Sequence, residues 1–158
     1  MELPSIRPEL SNRVYLPRAY GAWVTAKLAM NTAGENTFQI GCSNLATSLE
    51  LAIKYMLEYC GIEVRKTYSL SSLMTQVPAE SGLVAPTLRE YFQFRLDTVS
   101  SWYLGCKYNM DFFAEHSVAL DILEHALQLL EGYSDTLMAQ ARASQFNRPS
   151  GIPTLRLD

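Results

Sequence analysis

Cysteine is scarce in this chain of 158 residues. Cys42, Cys60 and Cys106 stand far apart, no pair forms a C-x-x-C, and no His lies near enough to complete a zinc site. A disulfide framework and a structural zinc are thereby excluded as organising devices, and buried thiols in a reducing compartment are expected. Histidine is scarcer still, with only His116 and His125. Charge is also thin. Charged residues make up 18% of the chain, and 13 Lys plus Arg against 16 Asp plus Glu leave a net charge of −3. No global positive field draws the protein onto nucleic acid or an anionic membrane, so any site for a polyanion has to be local. No apolar run approaches the ~20 residues of a membrane span. The opening MELPSIRPELSNR has no apolar h-region, which makes the cytoplasm the expected location. Gly-rich phosphate loops, G-x-S-x-G, H-E-x-x-H and EF-hand loops are missing, and no His-x-x-Glu pairing suggests a di-metal bundle. Neither a metal nor a cofactor is expected.

What the chain does have is apolar periodicity. Hydrophobic residues make up 48%, the balance of a folded domain. Residues 1–17 carry Pro4, Pro8 and Pro17 without helical spacing and predict an extended arm. From Arg18 to about Ala33, Tyr20, Trp23, the stem of Lys27 and Met30 recur at helical intervals. Between Cys42 and Cys60, Leu45, Leu49, Ile53 and Met56 form the stripe of an amphipathic helix, and Gly61 stands where a left-handed C-terminal cap belongs. Ser69 suits the N-cap of a brief helix with Leu70, Leu73 and Met74 that ends at Pro78. Pro86 suits the first turn of a long helix running toward Gly105, with Leu88, Tyr91 or Phe92, Phe94 or Arg95, Val99 and Trp102 along its stripe. Asp111 can cap a last helix in which Val118, Ile122, Ala126, Leu129 and Tyr133 mark a wide apolar face, extending to about Ser144. QFNRPSGIPTLRLD then reads as a tail. Period-two alternation and internal repeats are absent. The expected fold is all-α, an antiparallel up-down bundle of four main helices plus one short helix. The expected organisation is an arm at 1–17, a helical domain at 18–144 and a tail at 145–158.

The segment ATSLELAIKYMLEYCGIEVRKTYSLSSLM, from Ala46 to Met74, resembles the central signature of HEPN domains. In that family a helix bearing Glu and Lys one turn apart is followed by a Gly, a short linker, a Lys-Thr turn and a small Leu-rich helix. Glu50, Lys54, Gly61, Lys66, Thr67, Leu70 and Leu73 stand at the matching positions. The stretch from Trp102 to Tyr133 is similar to the second half of the family, where an aromatic and basic turn precedes the long final helix. Tyr68 and Ser69 depart from the His and Asp that many members carry, and Lys107-Tyr108-Asn109 lacks the usual proline.

The resemblance implies one of two behaviours. Some HEPN proteins are metal-independent ribonucleases, commonly toxins or defence effectors, that use an Arg followed within a few residues by a His. Others lack that pair and act as partners of small nucleotidyltransferases, as in toxin–antitoxin pairs, or bind nucleotides or nucleic acid. Arg95, the nearest Arg before His116, lies too far upstream to form the motif. The expected protein is therefore a non-catalytic homodimer that binds a partner, such as a nucleotidyltransferase, or a nucleotide-type ligand or RNA. A divergent ribonuclease and a purely structural dimer are the alternatives.

The candidate positions follow. Glu50 and Lys54 form at least a helix-surface ion pair, and the resemblance lets Lys54 meet a phosphate. Lys66, Thr67 and Tyr68, after Arg65, make a compact basic and hydroxylic turn before a helix N-terminus, a place where an anion can bind. With Arg95 these residues would line a groove. His116 could serve acid–base chemistry only if Arg95 or Lys107 met it in space. The many aromatics fit core and subunit interface, with base stacking as the lesser alternative.

Overall fold

The computed structural model describes residues 8–64, 69–108 and 114–145, and side chains within 15–64, 69–102 and 114–132. All regular elements among these residues are helical: α1 (Pro8–Met30), α2 (Glu35–Tyr59), α3 (Leu70–Gln76), a 3-10 turn (Ala79–Ser81), α4 (Pro86–Gln93), α5 (Leu96–Tyr108) and α6 (His116–Gln145). No helix of the described residues is long and apolar enough to cross a membrane.

The first helix corrects the expectation of an extended arm. It begins at Pro8, which suits a first turn, and it contains Pro17. An internal proline costs a helix roughly 3 kcal/mol through its missing donor and its clash with the preceding turn. Packing outweighs that cost here, because Leu16, Ala19, Trp23, Ala26 and Met30 all bury on one stripe. Residues 1–7 and 146–158 lie outside the described residues.

Helices α1 and α2 make an antiparallel hairpin. Ser48 on α2 donates its hydroxyl to the Ala19 carbonyl at 2.7 Å, while nearer the turn Gly41 faces Ala26, Ala29 and Met30. Helix α2 starts at Glu35, earlier than the stripe from Cys42 suggests, because Gly34 (φ 117°) turns the chain and Phe38 is already buried. The expected stripe of Leu45, Leu49, Ile53 and Met56 is almost wholly inside. The helix closes as its sequence requires. Gly61 takes φ 73°, its N–H bonds the Glu58 carbonyl, and the Ile62 N–H bonds the Leu57 carbonyl. These two bonds satisfy carbonyls that a helix end leaves open. Ser69 caps α3 by accepting from the Ser72 N–H.

The long helix expected from Pro86 to Gly105 is broken. The Arg95 N–H bonds the Phe92 carbonyl, one residue short of the helical partner, and the Tyr91 carbonyl accepts the Arg95 Nη1 instead at 2.7 Å. A side chain has replaced a backbone donor at one rung of the ladder, which is a recognised cause of a helix kink. The four main helices and one short helix of the sequence reading thus become six α-helices among the described residues.

Asp111 lies outside the described residues. Helix α6 begins after it, at His116, with Ala119 N–H bonded to the Glu115 carbonyl. Ala119, Ile122, Leu123, Ala126, Leu129 and Leu130 bury, and the Trp23 indole donates to the Leu123 carbonyl at 2.9 Å to tie α1 to α6.

Candidate functional site

Two groups of polar side chains gather residues from distant parts of the chain, and each contains one of the two histidines. The first lies where α2 and α6 begin. His116 stacks on Phe38 with ring centres 3.6 Å apart and planes 9° off parallel. Its Nε2 donates to the Glu35 carboxylate at 2.7 Å. Gln39 adds a pair of bonds to the Ala114 backbone, accepting from its N–H at 2.8 Å and donating to its carbonyl at 3.3 Å. The bonds from Gln39 and His116, in that order, hold the Glu35 carboxyl below its ordinary 4.5 and outweigh the opposing effect of burial. His116 meets neither Arg95 nor Lys107 in any described contact. Its ring is committed to joining two helix ends.

The second group sits on the surface between the α4–α5 elbow and α6. The Arg95 guanidinium lies over the Tyr91 ring, 3.9 Å from its centre. The His125 imidazole stacks on the same ring at 3.5 Å and 7°. Two planar groups this close to one ring centre cannot share a face, so Arg95, Tyr91 and His125 form a three-layer stack with the phenol in the middle. The Tyr91 hydroxyl donates to the Asp121 carboxylate, one turn before His125 on α6. Burial, and then the bond to Asp121, push the phenol's pKa up, with Arg95 pulling the other way. His125 Nδ1 lies 2.8 Å from the Asp121 carbonyl and 3.7 Å from its carboxylate. A carbonyl oxygen only accepts, so Nδ1 carries a proton and Nε2 is the nitrogen left to take or lose one. Beside the stack, Phe94 leaves 76% of its surface open to solvent.

The remaining candidates are placed as follows. Glu50 and Lys54 form the expected ion pair on α2 at 3.4 Å, both partly exposed. Lys54 is described in contact with Glu50, and Arg95 with Tyr91, so the two cations are engaged on separate elements. Lys66, Thr67 and Tyr68 lie outside the described residues, and Lys107 lies on α5 with its side chain outside them.

A family model for the HEPN domain matches residues 20–135. The chain belongs to the HEPN family. That span runs from within α1 to within α6 and takes in both polar groups. No curated protein and no solved structure matches significantly. Within this HEPN domain, of the residues of the two polar groups the sequence reading offers only Arg95 and His116 as site candidates. It missed Tyr91, Asp121 and His125 as a site, and Glu35 as the partner of His116. A signal existed for half of each pair, because Tyr91 and Arg95, like Asp121 and His125, are one helical turn apart. What brings the two turns together is the contact of Tyr91 with Asp121 and His125.

Proposed function

We propose that this HEPN domain is a binding module and not a nuclease. On an up-and-down helical scaffold, working as a homodimer in the cytoplasm, it receives an anionic group at the surface formed by Arg95, Tyr91 and His125. The group belongs to a nucleotide-type ligand or to a partner protein such as a nucleotidyltransferase, as in toxin–antitoxin pairs. The observation that carries this reading is the stack itself. A guanidinium held 3.9 Å over a phenol and anchored through Nη1 on the Tyr91 carbonyl has further N–H donors of the kind that suit phosphate or carboxylate oxygens. The described contacts of His116 are with Glu35 and Phe38 and not with Arg95, which supports the non-catalytic half of the proposal.

The test is a melting shift with nucleotides, read in the native chain and in Arg95→Ala, together with sedimentation for the dimer. Ligand present at 100 times its Kd should stabilise the native chain by about 2.7 kcal/mol and the variant far less. Equal shifts in both proteins refute the site.

One observation favours a second reading, a divergent ribonuclease. An Arg and a His are brought near one another, Arg95 and His125, one on each face of Tyr91. Metal-free cleavage of single-stranded RNA that is lost in His125→Ala would establish that reading over the first.

A further inference from the structure

We infer that the outer face of the α1–α6 pair, where Val24, Leu28 and Leu120 lie open, is the surface through which two copies of this chain join, with α1 of each protomer laid over α6 of the other. The inference rests on the reading of the protein as a homodimer and names the face that the dimer uses.

The three aliphatic side chains are 47%, 65% and 39% exposed, and helix geometry puts them on one surface. The Trp23 indole bonds the Leu123 carbonyl, so α1 and α6 meet along these residues. The two helices run antiparallel, because the turn after Met30 leads into α2, whose Glu35 and Phe38 hold His116 at the start of α6. At about 100° per residue, Val24 and Leu28 lie about 100° and 140° round α1 from Trp23. Ala26 and Ala29, which meet Gly41 of α2, lie about 60° and 120° round the other way. On α6, Leu120 and Glu124 lie about 60° and 100° round from Leu123 in the first sense, while the buried Ala119, Ala126 and Leu130 lie the other way. Between antiparallel neighbours these rotations lead to the same side, away from α2. Leu120 precedes Leu123 by as much as Ala26 follows Trp23, so it stands level with the gap between Val24 and Leu28.

Charge decides the occupant. The charged groups among the described side chains of α1 are Arg18 and Lys27, both basic, and Lys27 reaches over the Trp23 ring at the edge of the patch. Helix α6 carries Asp121, Glu124 and Glu131 and no Lys or Arg before Arg142. Among the described residues, Arg18, Lys27, Glu124 and Glu131 take part in no ion pair. A face with one basic and one acidic half complements a second copy of itself. A twofold axis along the groove between α1 and α6 keeps every residue at its own level, so Val24 and Leu28 of one protomer cover Leu120 of the other. An axis across the groove would lay α1 on α1 and α6 on α6, with like charges opposed. His125 lies about 140° round α6 from Leu120, so the Tyr91 stack is on another side of the helix.

Sedimentation of the full chain over a concentration series gives the dimer constant. Leu28→Glu would face the acidic α6 of the other protomer, and Leu120→Lys its basic α1. Each should weaken the dimer at least about tenfold while circular dichroism shows the helices intact. Ile40→Glu, at an aliphatic side chain 59% exposed on α2, should leave the dimer unchanged. Mixing the two weakened variants should restore a dimer, because the introduced charges then meet as a pair of opposite sign and the second Leu28–Leu120 contact is native. That recovery also shows that both variants fold. A dimer that either variant leaves intact, one that Ile40→Glu weakens as much, or a mixture that stays monomeric overturns the inference and leaves the homodimer reading standing. A native chain that is monomeric throughout the series overturns both.

Discussion

Gly41→Ala should destabilise the protein, although it replaces a glycine inside a helix with the best helix former. Gly41 sits in the first half of α2, against α1. A Cβ built there would lie 2.7 Å from Met30 Cγ, 3.0 Å from the Ala26 carbonyl oxygen and 3.2 Å from Ala29 Cβ. Relieving a helix interior of glycine gains about 1 kcal/mol. Forcing a methyl group into a filled contact costs about 1–3 kcal/mol, the upper part of the range applying where the neighbours cannot yield. Met30 is flexible but almost fully buried, and the Ala26 oxygen is backbone, so it moves only if α1 shifts as a whole. The steric term wins by about 1–2 kcal/mol, which in a domain of this size lowers Tm by about 2–8 °C. Thermal and urea unfolding of the two proteins measure it, and a valine at the same site should be worse. An unchanged or higher Tm for Gly41→Ala would mean that the hairpin is not packed as closely as described.

Other perturbations probe separate parts of the fold. Gly61→Ala forces a side chain onto φ 73° at the end of α2 and should cost about 1–2 kcal/mol, seen as a lower urea midpoint with an unchanged slope. Trp23→Phe keeps an aromatic ring but loses the bond to the Leu123 carbonyl that joins α1 to α6, and should cost about 1–2 kcal/mol in the same assay. The Glu35 carboxyl is held below 4.5 in the folded protein, so its contribution to stability is present above that value and is lost as pH falls through the lowered one. Melting curves taken from about pH 6 down to about pH 3 should therefore show a flatter acid limb for Glu35→Gln than for the native chain.

The helices were legible where one stripe had one partner. Leu45, Leu49, Ile53 and Met56 bury as their spacing implies, and Ser69 and Gly61 cap the helices their chemistry suits. Boundaries failed where a long-range contact overrode a local preference. Pro17 argues against helix on any local rule, yet the burial of Leu16 and Ala19 beside it keeps α1 continuous. No Pro or Gly lies between Pro86 and Gly105 to signal a break. The kink arises because the Arg95 side chain takes the carbonyl its own backbone would use.

That same exchange explains why the candidate site was only half visible. Sequence periodicity marks which residues face a core; His116 and His125 fall off the stripes and Arg95 shares its place on one with Phe94, so nothing in their spacing distinguishes a surface charge from a member of a cluster. Their partners differ in kind. Glu35 and Phe38 engage His116 at the junction of two helix ends, where a stacked ring and a carboxylate serve to hold α2 to α6. Tyr91 engages His125 on an open surface, with a guanidinium on its other face and Phe94 exposed beside it. A clasp that only joined α4 to α6 would need the Tyr91 hydroxyl on Asp121 and no more. The Arg95 guanidinium, on the other face of Tyr91 with Nη1 on the Tyr91 carbonyl, belongs to the α4–α5 elbow and has no described contact with α6. The excess of functional groups over what the joint requires is the physical reason to look for a ligand at Arg95 and His125 before His116.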